Sequence, residues 1–174
     1  LMLNGPHWLD QDISQQLVVK LRKMGCQYSV HPPAGNHMNL TSASRETRQF
    51  TFVQTVCSIQ IAHQLQASAV VVHPGQLDPA APFSRETAQE MVLEAIDKLN
   101  QAARPLGVTL LIENTGRVFE MEEFCHIADG FDGNVGYLID TGHAHLDNWD
   151  MVTLMNRLGH RLQAFHLHDN DGSA

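Results

Sequence analysis

The chain has 174 residues, 43% hydrophobic and 17% charged, which suits one globular domain with a sizeable core. Its formal net charge of −8 argues against the basic stripe of a nucleic-acid-binding surface, and no apolar run approaches the ~20 residues of a membrane span. No signal peptide opens the chain, and its three cysteines (Cys26, Cys57 and Cys125) form no CxxC pair, so a disulfide framework is not expected and a reducing cytoplasm fits.

In chain order, residues 1–6 read as the end of a first strand and its loop. Residues 14–24 read as a helix, with Ile13, Leu17, Val18 and Leu21 at helical spacing and Gly25 as the stop. A strand over 27–31 precedes a loop rich in Pro, Gly and Asn, and a helix over 44–65 follows with Phe52, Val56, Ile59 and Leu65 on one face. The strand over 69–73 is stopped by Pro74-Gly75. Ser84 is a good N-cap for a helix that carries Met91, Val92, Ala95, Ile96 and Leu99 and ends by Pro105. A strand ending at Glu113, a short helix over 120–128, a strand over 135–140, a helix over 151–158 and a strand over 162–166 complete the series.

The strands are short, mostly apolar and alternate with helices, the pattern of a parallel sheet covered on both faces. Five of them end on a possible metal ligand: His31, His73, Glu113, Asp140 (with His143 three residues on) and His166. In a (β/α)8 TIM barrel the C-terminal strand ends carry the active site. The expected fold is therefore an α/β TIM barrel, with residues 1–174 a single domain. A full barrel takes about 250 residues. The chain is thus expected to be incomplete, holding strands 1 or 2 to 6 and lacking the C-terminal strands. An open doubly wound sheet is the alternative, but no GxGxxG fingerprint or P-loop is present.

Glu113, Asp140 and His166 form a mixed nitrogen and oxygen ligand set, suited to Mn, Zn, Co or Fe, or to Mg with added carboxylate and water. A divalent metal ion supplies the charge that lets buried carboxylates sit together. His31, His73 and His143 are further ligands or donors to substrate oxygens. Taken singly, each has an ordinary explanation. A histidine ending a strand is usually a hydrogen-bonded structural residue, Glu113 fits a buried ion pair, and Asp140-Thr-Gly-His143 fits a turn with a helix cap. Their joint occurrence favours a shared polar site. His168 has the strand parity of His166 and joins the site as a substrate contact or second ligand. His7, His37, His63, His126, His145 and His160 are assigned to loops and surface.

The motifs His31-Pro-Pro with Asn39-Leu40, Val72-His73-Pro-Gly75, Ile112-Glu113-Asn114, Ile139-Asp140-Thr-Gly-His143 and Phe165-His166-Leu-His-Asp169-Asn-Asp-Gly172 run through nearly the whole chain. Together they resemble the xylose-isomerase-like barrel superfamily, which includes sugar-phosphate isomerases and epimerases and the apurinic-site endonuclease branch. The resemblance implies metal ligands at Glu113, Asp140 and His166, completed by a late Glu beyond this sequence. In the endonuclease branch His31, His73 and His143 would hold further metals together with a later Asp-x-His.

The expected function is a metal-dependent isomerase or epimerase acting on a sugar or sugar phosphate through an enediolate. Glu113 is the expected base, His73 and His143 assist in catalysis, and His31, His168 and Asn114 contact the substrate. A small-molecule sugar is the expected partner; nucleic acid and membrane are disfavoured, and a homo-oligomer is compatible with the sequence. The alternatives are a metal-dependent endonuclease acting at abasic sites in DNA and a non-catalytic barrel. The acidic charge weighs against the endonuclease, because phosphate contacts dominate DNA affinity; Lys20, Arg22 and Lys23 are the nearest thing to a basic cluster.

Overall fold

The computed structural model describes residues 11–167 except 36, 116 and 132, with side chains from residue 16. The expected first strand and His168 lie outside them. The described chain alternates α1 (Gln11–Arg22), β1 (Ser29–Val30), α2 (Arg45–Leu65), β2 (Ala69–Val72), α3 (Arg85–Ala103), β3 (Thr109–Glu113), α4 (Met121–His126), β4 (Val135–Asp140), α5 (Thr141–Leu146), α6 (Met151–Leu158) and β5 (Leu162–His166). The five strands pair in sequential order, all parallel, as a curled half-barrel with helices between. This is the incomplete TIM-barrel arrangement that the sequence pattern predicts. No described helix is long and apolar enough to cross a membrane.

Local chemistry accounts for the helix boundaries. Ser44 and Ser84 cap α2 and α3, accepting from the N–H groups of Thr47 and Thr87. In α3 the buried positions Ala88, Val92, Ile96, Leu99 and Ala103 follow helical spacing. The buried face of α2 departs from expectation. Phe52 and Val56 are only half-buried, whereas Thr51, Thr55 and Ser58 are buried. Their hydroxyls donate to the carbonyls of Thr47, Thr51 and Gln54, so burial leaves none of these hydroxyls unsatisfied. Helix α5 has no counterpart among the predicted elements. It starts directly from Asp140, whose side chain caps it.

Strand alternation sorts the side chains. Val70, Val72, Leu110, Ile112, Tyr137 and Ile139 face the helices, while Ala69, Val71, Leu111 and Leu138 form a separate inner cluster with Ala164. Two residues beyond Val71, Leu111, Leu138 and Ala164 stand His73, Glu113, Asp140 and His166. They therefore continue the inner face, where the apolar floor gives way to a polar rim. In β5 this phase depends on an irregularity. Leu162 packs with the helix-side core but Ala164 with the inner cluster, and the register shifts between Tyr137↔Leu162 and Leu138↔Ala164. The extra residue is a bulge that turns His166 inward beside Asp140.

Gly136 permits this approach. A Cβ there would lie 2.9 Å from the Arg161 carbonyl oxygen and 2.6 Å from Gln163 Nε2. Gly136→Val is expected to destabilise the fold by about 1–3 kcal/mol and to weaken divalent-metal binding by displacing β5 with His166. Urea unfolding and metal titration of the intact protein check this; an unchanged midpoint with unchanged affinity would show that the close strand approach is dispensable.

Candidate metal centre

The inner-face residues at the ends of adjoining strands meet around Glu113. His73 Nε2 lies 3.0 Å from Glu113 Oε2 and 3.1 Å from His31 Nε2, and His31 Nε2 is 3.7 Å from the same carboxylate oxygen. His166 Nδ1 approaches the other oxygen, Oε1, at 3.3 Å and stands 3.9 Å from Asp140 Oδ2. The rings of His31 and His166 stack with centroids 5.8 Å apart. His31 Nδ1 is 2.7 Å from the Pro32 carbonyl oxygen, an acceptor only, so Nδ1 carries the proton and Nε2 turns a lone pair toward the site.

Two sets of ligand atoms each lie within 4.8 Å of one another: His31, His73 and Glu113, and Glu113, Asp140 and His143. Glu113 belongs to both. The structure thus brings together His31, His73, Glu113, Asp140, His143 and His166. Glu113 and Asp140 are 2% and 5% exposed, so two carboxylates are side by side almost out of water. Burial alone pushes the Glu113 carboxyl up. The hydrogen bond from His73 Nε2 and the close approach of the His31 and His166 rings outweigh it and hold Glu113 well below the usual carboxylate range. Imidazole nitrogens and carboxylate oxygens converging in a sheltered polar recess fit a divalent cation. Either set could hold it, and His166 adjoins both carboxylates as a further ligand for it.

Asn114 lies behind this set. Its Oδ1 accepts from the Asp140 N–H at 2.6 Å and its Nδ2 donates to the Asp140 carbonyl at 3.1 Å. It is 2% exposed. Its amide therefore fastens the ends of β3 and β4 together. The Asp140 side chain is fixed from the other side, Oδ1 accepting from the His143 N–H at 2.9 Å. Sequence reasoning missed this clamp because Glu-Asn reads the same whether the amide faces inward or along the sheet. Among the histidines assigned to the surface, His63 is exposed and bonds the Leu106 carbonyl, and His126 pairs with Asp129.

The pattern of the family described as xylose isomerase-like TIM barrel matches residues 2–174. The chain is 30% identical over 183 residues to "Probable endonuclease 4" of Thermoplasma volcanium, covering 95% of this chain but 62% of that protein. Among solved structures, a D-tagatose 3-epimerase-like protein superposes with a TM-score of 0.84 at 22% identity, over 99% of this chain and 67% of its own. A Thermus thermophilus protein from crystals soaked in zinc chloride gives 0.78 at 26% identity, over 99% and 68%.

Because Asn114 positions Asp140 without reaching the ion itself, Asn114→Ala is expected to lower zinc affinity about 10–100-fold while the fold persists. Competition with a chromophoric chelator, read beside the circular dichroism spectrum, checks this. Unchanged affinity in a folded variant would remove Asn114 from the centre.

Proposed function

The chain belongs to the xylose isomerase-like TIM-barrel family, and we propose that it is a metal-dependent isomerase or epimerase acting on a sugar or sugar phosphate. The observation that carries this reading is the meeting of Glu113, Asp140 and His166 at strand ends beside a polar cleft that His73 also lines. A divalent cation held by these residues would supply positive charge against the negative charge that develops on substrate oxygens.

The chain's own groups divide the remaining work. Glu113, ringed by imidazoles at a strand end, is placed both to hold the cation and to take the carbon-bound proton. His73 has its side chain 35% exposed and borders the cleft, which suits it to contact a substrate oxygen and donate or accept a proton there. Asp140 is fixed by the Asn114 and His143 contacts and keeps its Oδ2 toward His166. This preorganisation lets the site meet developing negative charge without rearranging.

A second reading, a phosphodiesterase acting at abasic sites in DNA, is favoured by one specific feature. The His31, His73 and Glu113 set adjoins the Glu113, Asp140 and His143 set, giving a carboxylate shared between two candidate ion positions. Clustered cations suit activation of water against a phosphodiester. The relative named as an endonuclease supports the same reading. The net charge of −8 disfavours it.

Isomerisation or epimerisation through an enediolate removes a substrate α-proton, which can then exchange with solvent. The intact metal-loaded protein, incubated with a ketose panel in deuterated water, is expected to incorporate deuterium. His73→Gln is expected to slow exchange at least about 100-fold, and Glu113→Gln to abolish it together with metal binding. Rapid nicking of abasic DNA with no deuterium incorporation would replace the isomerase reading with the second one.

A further inference from the structure

The loops after β1 and β2 wall a cleft of about 530 Å³, in which His73 faces Asn39, Ser42, Gln76, Asp78 and Thr115. Among the described residues, no lysine or arginine lines it. Its shape is held by Asn39, whose Oδ1 accepts from the Thr41 N–H at 3.0 Å, the Thr41 hydroxyl at 2.9 Å and the Gln76 N–H at 2.9 Å. Asn39 Nδ2 donates in turn to the Gln76 carbonyl at 2.9 Å. Gly75 (φ +102) passes so close beneath that a Cβ would come within 2.7 Å of Asn39 Oδ1. The two loops therefore form one rigid wall.

Asp78 gives that wall its charge. Its Oδ2 accepts from the Ala43 N–H at 2.8 Å and its Oδ1 from the Ala80 N–H at 2.9 Å. Those bonds, with Ala43 first, hold its pKa below the ordinary aspartate value. Ala43 directly precedes Ser44, the N-cap of α2. Phosphate sites rely on arginine, lysine or open N–H groups at a helix start. Here the chain's own carboxylate already takes the N–H just ahead of α2. Each carboxylate oxygen keeps a second lone pair for a hydroxyl donor, and the Gln76 side chain stands exposed at the rim.

We propose that Asp78 is a specificity-determining residue, presenting a fixed negative wall that accepts hydroxyls of a neutral polyhydroxylated chain and rejects an anionic substituent there. In taking this cleft as the substrate's, the inference rests on the isomerase or epimerase reading. It adds that the substrate end lying over the β1 and β2 loops is an uncharged polyol end.

The test is calorimetric binding of glucitol and of its 6-sulfate ester to the intact, manganese-loaded protein; a sulfate ester carries the charge and is a weak metal ligand. At low salt glucitol is expected to bind about tenfold or more tightly, with the gap closing as salt screens the charge. Gln76→Lys adds a cation at the rim while sparing the loop bonds, which use the main chain of residue 76. It is expected to narrow the gap at least about threefold by improving binding of the ester. Equal or tighter binding of the ester to the unmodified protein, no measurable binding of either compound, or a gap untouched by Gln76→Lys would overturn the proposal. If glucitol is preferred but no ketose undergoes proton exchange, the isomerase reading fails while the selectivity of the cleft stands.

Discussion

Glu113 is a carboxyl group held well below its usual range and almost sealed from water, next to the buried carboxyl of Asp140. A pair like this is costly to bury unless opposite charge and hydrogen bonds surround it. His31, His73 and His166 crowd both oxygens of Glu113. Their imidazoles are the right size and softness to share a divalent cation with those oxygens. The surrounding architecture makes sense as a device for keeping these groups together and correctly aimed.

That device is mostly strand phase. Parallel strands buried on both faces can carry apolar residues throughout, and the inner face needs only its last position on each strand to be polar. Val71, Leu111, Leu138 and Ala164 make the floor, and the residues two positions on make the site. The β5 bulge against Gly136 corrects the one strand that would otherwise turn Phe165 inward instead of His166. Asn114 then joins the ends of β3 and β4 through the Asp140 main chain, and α5 starts from Asp140 itself. Glu113, Asp140 and His166 each stand on a strand end rather than on a free loop, which favours precise geometry.

Much of this was legible in the sequence because strand endings are. Apolar runs stopped by His73, Glu113 and Asp140 declare both a strand and its exit. The capping serines Ser44 and Ser84 declared their helices in the same way. What stayed hidden depended on partners far away in the chain. The bulge is set by how β5 meets Gly136. The buried hydroxyl face of α2 needs carbonyls of its own backbone to satisfy it. Asn114 and Asp78 each gain their role from main-chain groups 26 and 35 residues away in sequence. Asp78 did leave a local trace, since Asp-Pro-Ala is a turn sequence in which the side chain bonds the amide two residues on.

The family likeness accounts for the fold, and one fold supports several chemistries. The chain spans 62% of its relative from Thermoplasma volcanium. The claim on which the rest stands is that a cation belongs at Glu113. Anomalous diffraction at the zinc edge, from crystals of the intact protein grown with zinc, tests it most directly. The account predicts a peak within about 2.0–2.3 Å of carboxylate oxygens of Glu113 and Asp140 and a nitrogen of His166. A well-ordered site with no peak there, Glu113 still hydrogen-bonded to His73, would contradict it.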